Sequence, residues 1–159
     1  MKCSITWIYW FIGIIIFCLD RITKNAALVS FLERVESGIP LLSYEITFNR
    51  GISWGLFNST DHTLFILISV VIALMTCAVA WYAHICCKRG EPVLGHVLII
   101  VGSVSNLIDR VVYHGVIDFI LVSFRDYSWP VFNIADMAIV VGIFILVWQN
   151  IIFVPKNGV

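Results

Sequence analysis

Apolar residues form four long runs in this chain, and every break between them contains charge, Gly or Pro. The runs cover about residues 3–19, 64–85, 93–108 and 131–153. A helix needs about 20 mostly apolar residues to cross the hydrocarbon core of a bilayer, and about 17 still suffice. The pattern therefore predicts an all-α integral membrane protein, a single membrane domain of residues 1–159 with four transmembrane helices.

The segment between the first two runs, about residues 25–63, contains a different periodicity. Apolar and polar residues alternate from Leu42 to Asn49. Alternation with period 2 is typical of a strand with one buried face. The strand is followed by Gly51, which allows a turn or a close approach of the backbone to a ligand. We expect a small β-sheet in this insert between helices 1 and 2, at the outer membrane surface.

The composition agrees with a membrane protein and excludes other classes. Hydrophobic residues make up 60% of the chain and charged residues only 13%, with a mean hydropathy of +0.98. Ten basic and ten acidic residues cancel, so nothing indicates a nucleic acid partner. Five cysteines without paired spacing are interpreted as reduced packing residues, and four scattered histidines predict no metal site and no cofactor.

The distribution of basic residues predicts the orientation. An even number of spans places both termini on one side, and Lys88 and Arg89 lie in the very short loop on that side, as Lys2 and Lys156 do near the termini. Basic residues in short loops favour the cytoplasmic side. The opposite side carries more basic residues in total, so the predicted orientation rests only on the density of basic residues in the short loop. Both termini are predicted to be cytoplasmic.

Ionisable residues at membrane depth need a reason, because an Asp near a helix centre costs about 2.5 to 3.5 kcal/mol on insertion scales. In this chain they gather at the predicted outer ends of the spans. Together with two polar asparagines they form a set that consists of Asp20, Lys24, Asn106, Asp109, Arg110, Asp118, Asn133 and Asp136.

Taken singly, several of these residues have a structural interpretation. Asp20 and Lys24 are four residues apart and can form an ion pair at a helix end. Asn133 and Asp136 have the spacing of an N-cap residue and an acidic residue at N3. Asp118, in the apolar run of residues 116–120, resembles a water-facing residue of an edge strand.

Taken together, the same residues indicate catalysis. The chain returns to the outer surface between the third and fourth runs, so Asp118 and Asp136 can meet there. Two carboxylates in one site share a proton, because both cannot ionise easily. The ionised member accepts a proton from an attacking water, and the protonated member donates to the oxyanion. A helix N-terminus at Asp136 favours its charged form, so Asp118 would more often hold the proton, but a coupled pair titrates as a unit and the sequence does not assign the proton to either residue.

Five ordered segments carry a family resemblance. They are residues 20–24 (Asp-Arg-Ile-Thr-Lys), 49–51 (Asn-Arg-Gly), 106–110 (Asn-Leu-Ile-Asp-Arg), 116–119 (Val-Ile-Asp-Phe) and 132–136 (Phe-Asn-Ile-Ala-Asp). In order and spacing they resemble the motifs of the lipoprotein signal peptidases, also called signal peptidase II. Two departures occur: Ser105 stands where the family has Gly, and Ser53-Trp54 where it has Ala-Phe.

The resemblance implies an aspartic endopeptidase of the bacterial cytoplasmic (inner) membrane, with its active site at the extracytoplasmic face and no cofactor. Such an enzyme removes the signal peptide of a prolipoprotein before a cysteine that carries diacylglycerol, and we expect a monomer surrounded by membrane lipid. The resemblance assigns Asp118 and Asp136 to the catalytic pair. It assigns site-lining or supporting positions to Asp20, Lys24, Asn49, Gly51, Asn106, Arg110 and Asn133.

Three alternatives remain open at this point. A Ser/Lys peptidase would use Ser53 or Ser105 as the nucleophile and Lys24 as the base. A small transporter or proton-relay subunit would carry protons or cations on its carboxylates, normally near the midplane. In a membrane scaffold, Asp118 and Asp136 would contribute to stability and to nothing else.

Overall fold

The protein is mostly helical, with one small sheet. A computed structural model describes residues 3–33, 42–51, 61–125 and 127–152. The elements in chain order are α1 (Cys3–Glu33), β1 (Leu42–Asn49), α2 (His62–Arg89), α3 (Leu94–Tyr113), β2 (Val116–Phe124), β3 (Tyr127–Ser128) and α4 (Ile134–Ile152).

The helices follow the apolar runs but extend beyond some of them. α1 continues past residue 19 to Glu33, so Asp20 and Lys24 lie within the helix and not after it. α2 begins at a cap in which Asp61 accepts the backbone N–H of Thr63 at 2.8 Å. It ends at Gly90, whose φ of 74° is accessible to glycine at little cost. This cap permits the tight turn into α3.

The helices place large apolar side chains on the outside and polar ones inside. Trp7 of α1, Leu74 of α2 and Phe144 of α4 are 75%, 65% and 64% exposed. Large exposed apolar surfaces of this kind indicate contact with lipid or another apolar partner. Among the described residues, α2 and α3 are long and apolar enough to cross a membrane, and Ile134–Asn150 forms a shorter apolar helix. The count of four spans stays a prediction.

The sheet has three antiparallel strands in the order β1-β2-β3. β1 covers the alternating segment predicted from the sequence. The expected location of the sheet needs correction, because β2 and β3 belong to the connection between α3 and α4 and not to the insert between helices 1 and 2. A single strand cannot pair its own backbone groups, and the apolar run that contains Asp118 supplies its partner.

α3 is the central helix and its backbone touches that of α4. A Cβ atom added to Gly102 would lie 2.5 Å from the Ala135 carbonyl oxygen, and one added to Gly95 would lie 2.8 Å from that of Gly142. Small residues allow membrane helices to approach this closely. The contact brings the C-terminal half of α3, with Asn106, against the first turn of α4.

Gly102→Ala is expected to destabilise the protein by about 1 to 3 kcal/mol, the usual cost of overpacking. The added methyl group meets a backbone oxygen, which cannot move without shifting α4. Gly13→Ala is the matched control, because its Cβ meets the terminal methyl group of Val97, a side chain. Unfolding in mixed micelles measures both variants. Equal midpoints for the two would contradict the proposed contact between helix backbones.

Candidate active site

Asp118 is buried on β2, opposite Thr47 of β1. Each of its carboxylate oxygens accepts a side-chain amide. The Asn49 Nδ2 group donates to Oδ2 at 3.1 Å, and the Asn133 Nδ2 group donates to Oδ1 at 2.7 Å. The strand pairing therefore places the carboxylate between two fixed donors.

Asp136 lies in the first turn of α4 and forms a reciprocal cap with Asn133. The backbone N–H of Asp136 donates to Asn133 Oδ1 at 2.8 Å, and the backbone N–H of Asn133 donates to Asp136 Oδ2 at 3.2 Å. This is the geometry of a capping box. The other oxygen, Oδ1, accepts Asn106 Nδ2 at 2.8 Å. The capping interpretation is thus correct, and it also orients the carboxylate.

Asn133 links the two aspartates. This fully buried side chain contacts Asp118 through Nδ2, while its backbone N–H contacts Asp136. Its Nδ2 group also lies 3.2 Å from the Ile117 carbonyl oxygen and 3.3 Å from Asn106 Oδ1. One asparagine therefore positions both carboxylates of the predicted pair.

A buried ion network supports the site from α1 and α3. Lys24 Nζ lies 2.9 Å from Asp20 Oδ2 and 2.7 Å from Asp109 Oδ2, and it donates to Asn106 Oδ1 at 2.8 Å. Because its Oδ1 is held by Lys24, Asn106 directs its Nδ2 group towards Asp136. The predicted pair of Asp20 and Lys24 forms, but inside the protein.

Asp20 also connects α1 with the start of α4. Its Oδ1 atom accepts the backbone N–H of Ala135 at 2.8 Å, and its Oδ2 atom accepts Ser105 Oγ at 2.6 Å. Backbone N–H groups in a first helical turn lack partners within the helix, so a carboxylate there is stabilising. Asp20 thereby fixes α4 one residue before Asp136.

Arg110 organises the segment that follows β1. Its guanidinium group donates to the backbone carbonyl oxygens of Arg50 and Gly51. The N–H of Gly51 in turn donates to Asn49 Oδ1 at 2.9 Å, which leaves the Asn49 amide nitrogen directed at Asp118. Gly51 is buried.

Sequence reasoning missed two members of this assembly. Asp109 belongs to the polar set at the predicted ends of the spans but was assigned no place in the site, yet it is fully buried and pairs with Lys24 and Arg21. Ser105 was noted as a departure from a family motif, and its hydroxyl group binds Asp20. The spacing of Asp109 three residues after Asn106, on one helix face, was the available signal.

A cavity of about 620 Å³ opens beside the two aspartates. Its polar end is formed by Asp118, Asp136, Asn106 and Arg110. Its remaining wall is mostly apolar and includes Ile72, Trp129, Val131, Met137, Val140 and Val141. Such a cavity accepts an apolar ligand with one polar group held at the carboxylates.

The electrostatics distinguish Asp118 from an ordinary surface carboxyl. Burial, and then the nearby charge of Asp136, raise the pKa of Asp118 to about 7, although the amides of Asn49 and Asn133 act in the opposite direction. The Asp118 carboxyl can therefore hold a proton near neutral pH. In the part of the chain that the structure describes, no group of three or more His, Cys, Asp or Glu residues could hold a metal ion.

Comparison with known proteins assigns the family. The model of the family described as Signal peptidase (SPase) II matches residues 12–152. The chain belongs to the signal peptidase II family. A lipoprotein signal peptidase of Rhodopseudomonas palustris is 38% identical over 152 residues, covering 90% of this chain and 91% of the relative. One of Aquifex aeolicus is 35% identical over 147 residues, covering 89% and 84%.

Solved structures share the fold of this protein. A bacterial membrane enzyme solved by the in meso method at 2.3 Å resolution aligns with a TM-score of 0.70 and 22% identity, covering 94% of this chain and 91% of that one. A second, at 1.9 Å resolution, aligns with a TM-score of 0.64 and 24% identity, covering 94% of each. Membership of the signal peptidase II family makes the chain a membrane-embedded protease of lipoprotein processing.

The site residues predicted from the sequence lie together in one assembly. Asp118, Asp136, Asn49, Gly51, Asn106 and Arg110 line the cavity. Asn133, Asp20 and Lys24 lie behind them and hold them through hydrogen bonds and ion pairs. Ser53 and Trp54 lie outside the described residues. The catalytic role of the two aspartates stays a prediction.

Proposed function

We propose that this protein is an aspartic endopeptidase that removes the signal peptide from diacylglyceryl-modified prolipoproteins, with Asp118 and Asp136 as its catalytic pair. The observation that carries the proposal is the contact of both carboxylates with Asn133 at the polar end of an apolar cavity. Two carboxylates in one site, one of them able to hold a proton near pH 7, are the groups that an aspartic peptidase needs.

The two aspartates have different environments, which suggests different roles. Asp136 accepts the Asn106 amide and a backbone N–H at the start of a helix, and both favour its ionised form. It takes a proton from the water that attacks the carbonyl carbon of the peptide. Asp118 holds the shared proton and gives it to the developing oxyanion. When the intermediate collapses, the C–N bond breaks and the leaving amine receives a proton from the pair.

The cavity suits a substrate that is half buried in lipid. Its apolar wall, formed largely by α4, would accommodate the signal peptide or the acyl chains, while the scissile bond reaches the carboxylates. We include in the proposal four spans, cytoplasmic termini and an active site at the extracytoplasmic face of the bacterial inner membrane. A monomer suffices, since all the groups named above come from one chain.

The geometry does not favour the Ser/Lys alternative for Ser105. A lysine base must contact the hydroxyl group that it deprotonates, whereas Lys24 Nζ is directed at Asp20, Asp109 and Asn106. Ser105 is fully buried, donates to Asp20 and does not line the cavity. A serine nucleophile must reach its substrate. The contact of Ser105 with Asp20 is therefore structural.

Cleavage of a diacylated prolipoprotein by the purified protein in lipid tests the proposal. The expected products are a free signal peptide and a chain whose new N-terminus is the lipidated cysteine, both identified by mass spectrometry. The same precursor without diacylglycerol is the matched control and is expected to be cleaved poorly. Cleavage at another bond, or none at all, would contradict the proposal.

The activity is expected to fall as the pH rises through about 7. Above the pKa of Asp118 the pair carries two charges and no proton to donate, whereas below it one proton is shared. Asn49→Ala is expected to move this alkaline limb to higher pH, because the Asn49 amide lowers the pKa of Asp118. The measurement is kcat/KM as a function of pH on both sides of neutrality. A profile that rises continuously through this range would count against the assignment of the proton to Asp118.

A further inference from the structure

Phe65, in the first turns of α2, contacts two arginines of the site. Its buried ring lies beneath the guanidinium groups of Arg50 and Arg110, with distances of 5.2 Å and 5.4 Å from the Cζ atoms to the ring centroid. The face of an aromatic ring carries a negative potential and attracts such cations. The ring therefore allows two like charges to share one small region.

A chain of hydrogen bonds connects these arginines with Asp118. Arg110 donates to the carbonyl oxygens of Arg50 and Gly51. Gly51 donates to Asn49, whose amide nitrogen donates to Asp118. Each step is a direct contact, so a continuous chain of contacts links the Phe65 ring to Asn49, one of the two amides that hold the Asp118 carboxylate.

We propose that Phe65 is a positioning residue for the hydrolysis, because it fixes Arg50 and Arg110 and thereby holds residues 49–51 against Asp118. Phe65 lies outside the five segments that carry the family resemblance. Through this ring α2, which otherwise packs on α3, supports the catalytic centre. The inference rests on the proposed function, in which Asp118 is one of the two catalytic residues.

The competing explanation is that Phe65 only fills space in the core. Phe65→Leu keeps most of the apolar bulk but removes the aromatic face, whereas Phe65→Tyr keeps the face. A packing residue should tolerate leucine about as well as tyrosine. A residue that acts through cation–π contacts should be restored by tyrosine and not by leucine.

The pH profile provides a second way to distinguish a positioning role of Phe65 from a packing role. Asp118 faces Asp136 from α4, Lys24 from α1 and Arg110 from α3, besides the amides of Asn49 and Asn133. Loss of the Phe65 ring releases Arg110 and Asn49 and leaves the other groups in place. Since Arg110 and Asn49 both favour the ionised form, their displacement raises the pKa of Asp118 and moves the alkaline limb to higher pH.

The test compares Phe65→Leu and Phe65→Tyr with Ile68→Ala, a buried α2 control that contacts neither arginine in the described hydrogen bonds and ring contacts. We expect Phe65→Leu to lower kcat/KM by about tenfold, in keeping with the loss of one or two cation–π contacts, and to shift the alkaline limb in the same direction as Asn49→Ala. Phe65→Tyr should keep the wild-type limb. Thermal unfolding in detergent identifies variants that have lost structure, and Phe65→Met replaces Phe65→Leu if that variant does not fold.

A double-mutant cycle shows whether Phe65 acts through Asn49. If it does, Phe65→Leu adds little to Asn49→Ala, because the contact is already lost. Additive effects, an unshifted limb in Phe65→Leu, or a tyrosine variant as impaired as the leucine variant would each overturn the inference.

The failure of this inference is distinguishable from that of the proposed function. Asp118→Asn is measured in the same assay. If it still cleaves the precursor, the proposed function is wrong whatever Phe65 does. If Asp118→Asn is inactive while Phe65→Leu has the rate and pH profile of the wild type, only the role of Phe65 is rejected.

Discussion

Asp118→Asn and Asp136→Asn are each expected to lower kcat/KM for prolipoprotein cleavage by about 10³-fold, within the range of about 10² to 10⁴ that a positioned acid or base contributes. Asparagine has nearly the size of aspartate but cannot ionise or carry the shared proton. The fold should survive, because asparagine keeps the size of aspartate and its side-chain oxygen can still accept one of the amide hydrogen bonds at each position. Initial rates with a diacylated precursor measure the loss.

The double variant Asp118→Asn/Asp136→Asn is expected to be no slower than the slower single variant. Catalytic groups that act as a unit show such non-additivity, because removal of one already abolishes the shared mechanism. Asp61→Asn is the matched control: Asp61 is an exposed N-cap of α2, and asparagine caps a helix equally well. A single variant that keeps more than about a tenth of the wild-type rate would remove the basis for a two-aspartate mechanism.

Lys24→Met is expected to lower the free energy of unfolding by about 3 to 5 kcal/mol, the usual effect of removing one partner of a buried ion pair. Methionine is similar in length, but it leaves Asp20 and Asp109 buried without the ammonium group between them. Asn106 also loses the contact that directs its amide at Asp136, so cleavage should fall as well. Unfolding in mixed micelles measures the stability.

Lys88→Met, in the exposed last turn of α2, is the control for this substitution and should change the stability little. Adding Asp20→Asn to Lys24→Met should restore part of the lost stability, because it removes the buried carboxylate that has lost its ion-pair partner, whereas Asp109 keeps its ion pair with Arg21. An unfolding midpoint for Lys24→Met equal to that of Lys88→Met would show that the ion network contributes nothing measurable.

The site could be predicted from the sequence to the extent that its residues interrupt apolar runs. Asp20, Asn106 and Asp136 were recognisable because polar groups at membrane depth are costly, and their spacing placed them on helix faces. The same reasoning did not predict that Asn133 both caps α4 and binds Asp118. Its capping role follows from local spacing, whereas its contact with Asp118 depends on β2 passing beside the start of α4.

The sequence by itself determined the apolar helices, the strand of residues 42–49 and the set of polar residues at the outer ends, because each depends on local periodicity or composition. Only the tertiary structure decided that Asp109, Ser105 and Phe65 join the site, that residues 116–128 complete the sheet, and that Asp20 binds the backbone of Ala135. Asp20 and Ala135 are 115 residues apart in the chain. Local spacing carries no information on such a pair, since its contact arises from the close packing of α3 against α1 and α4.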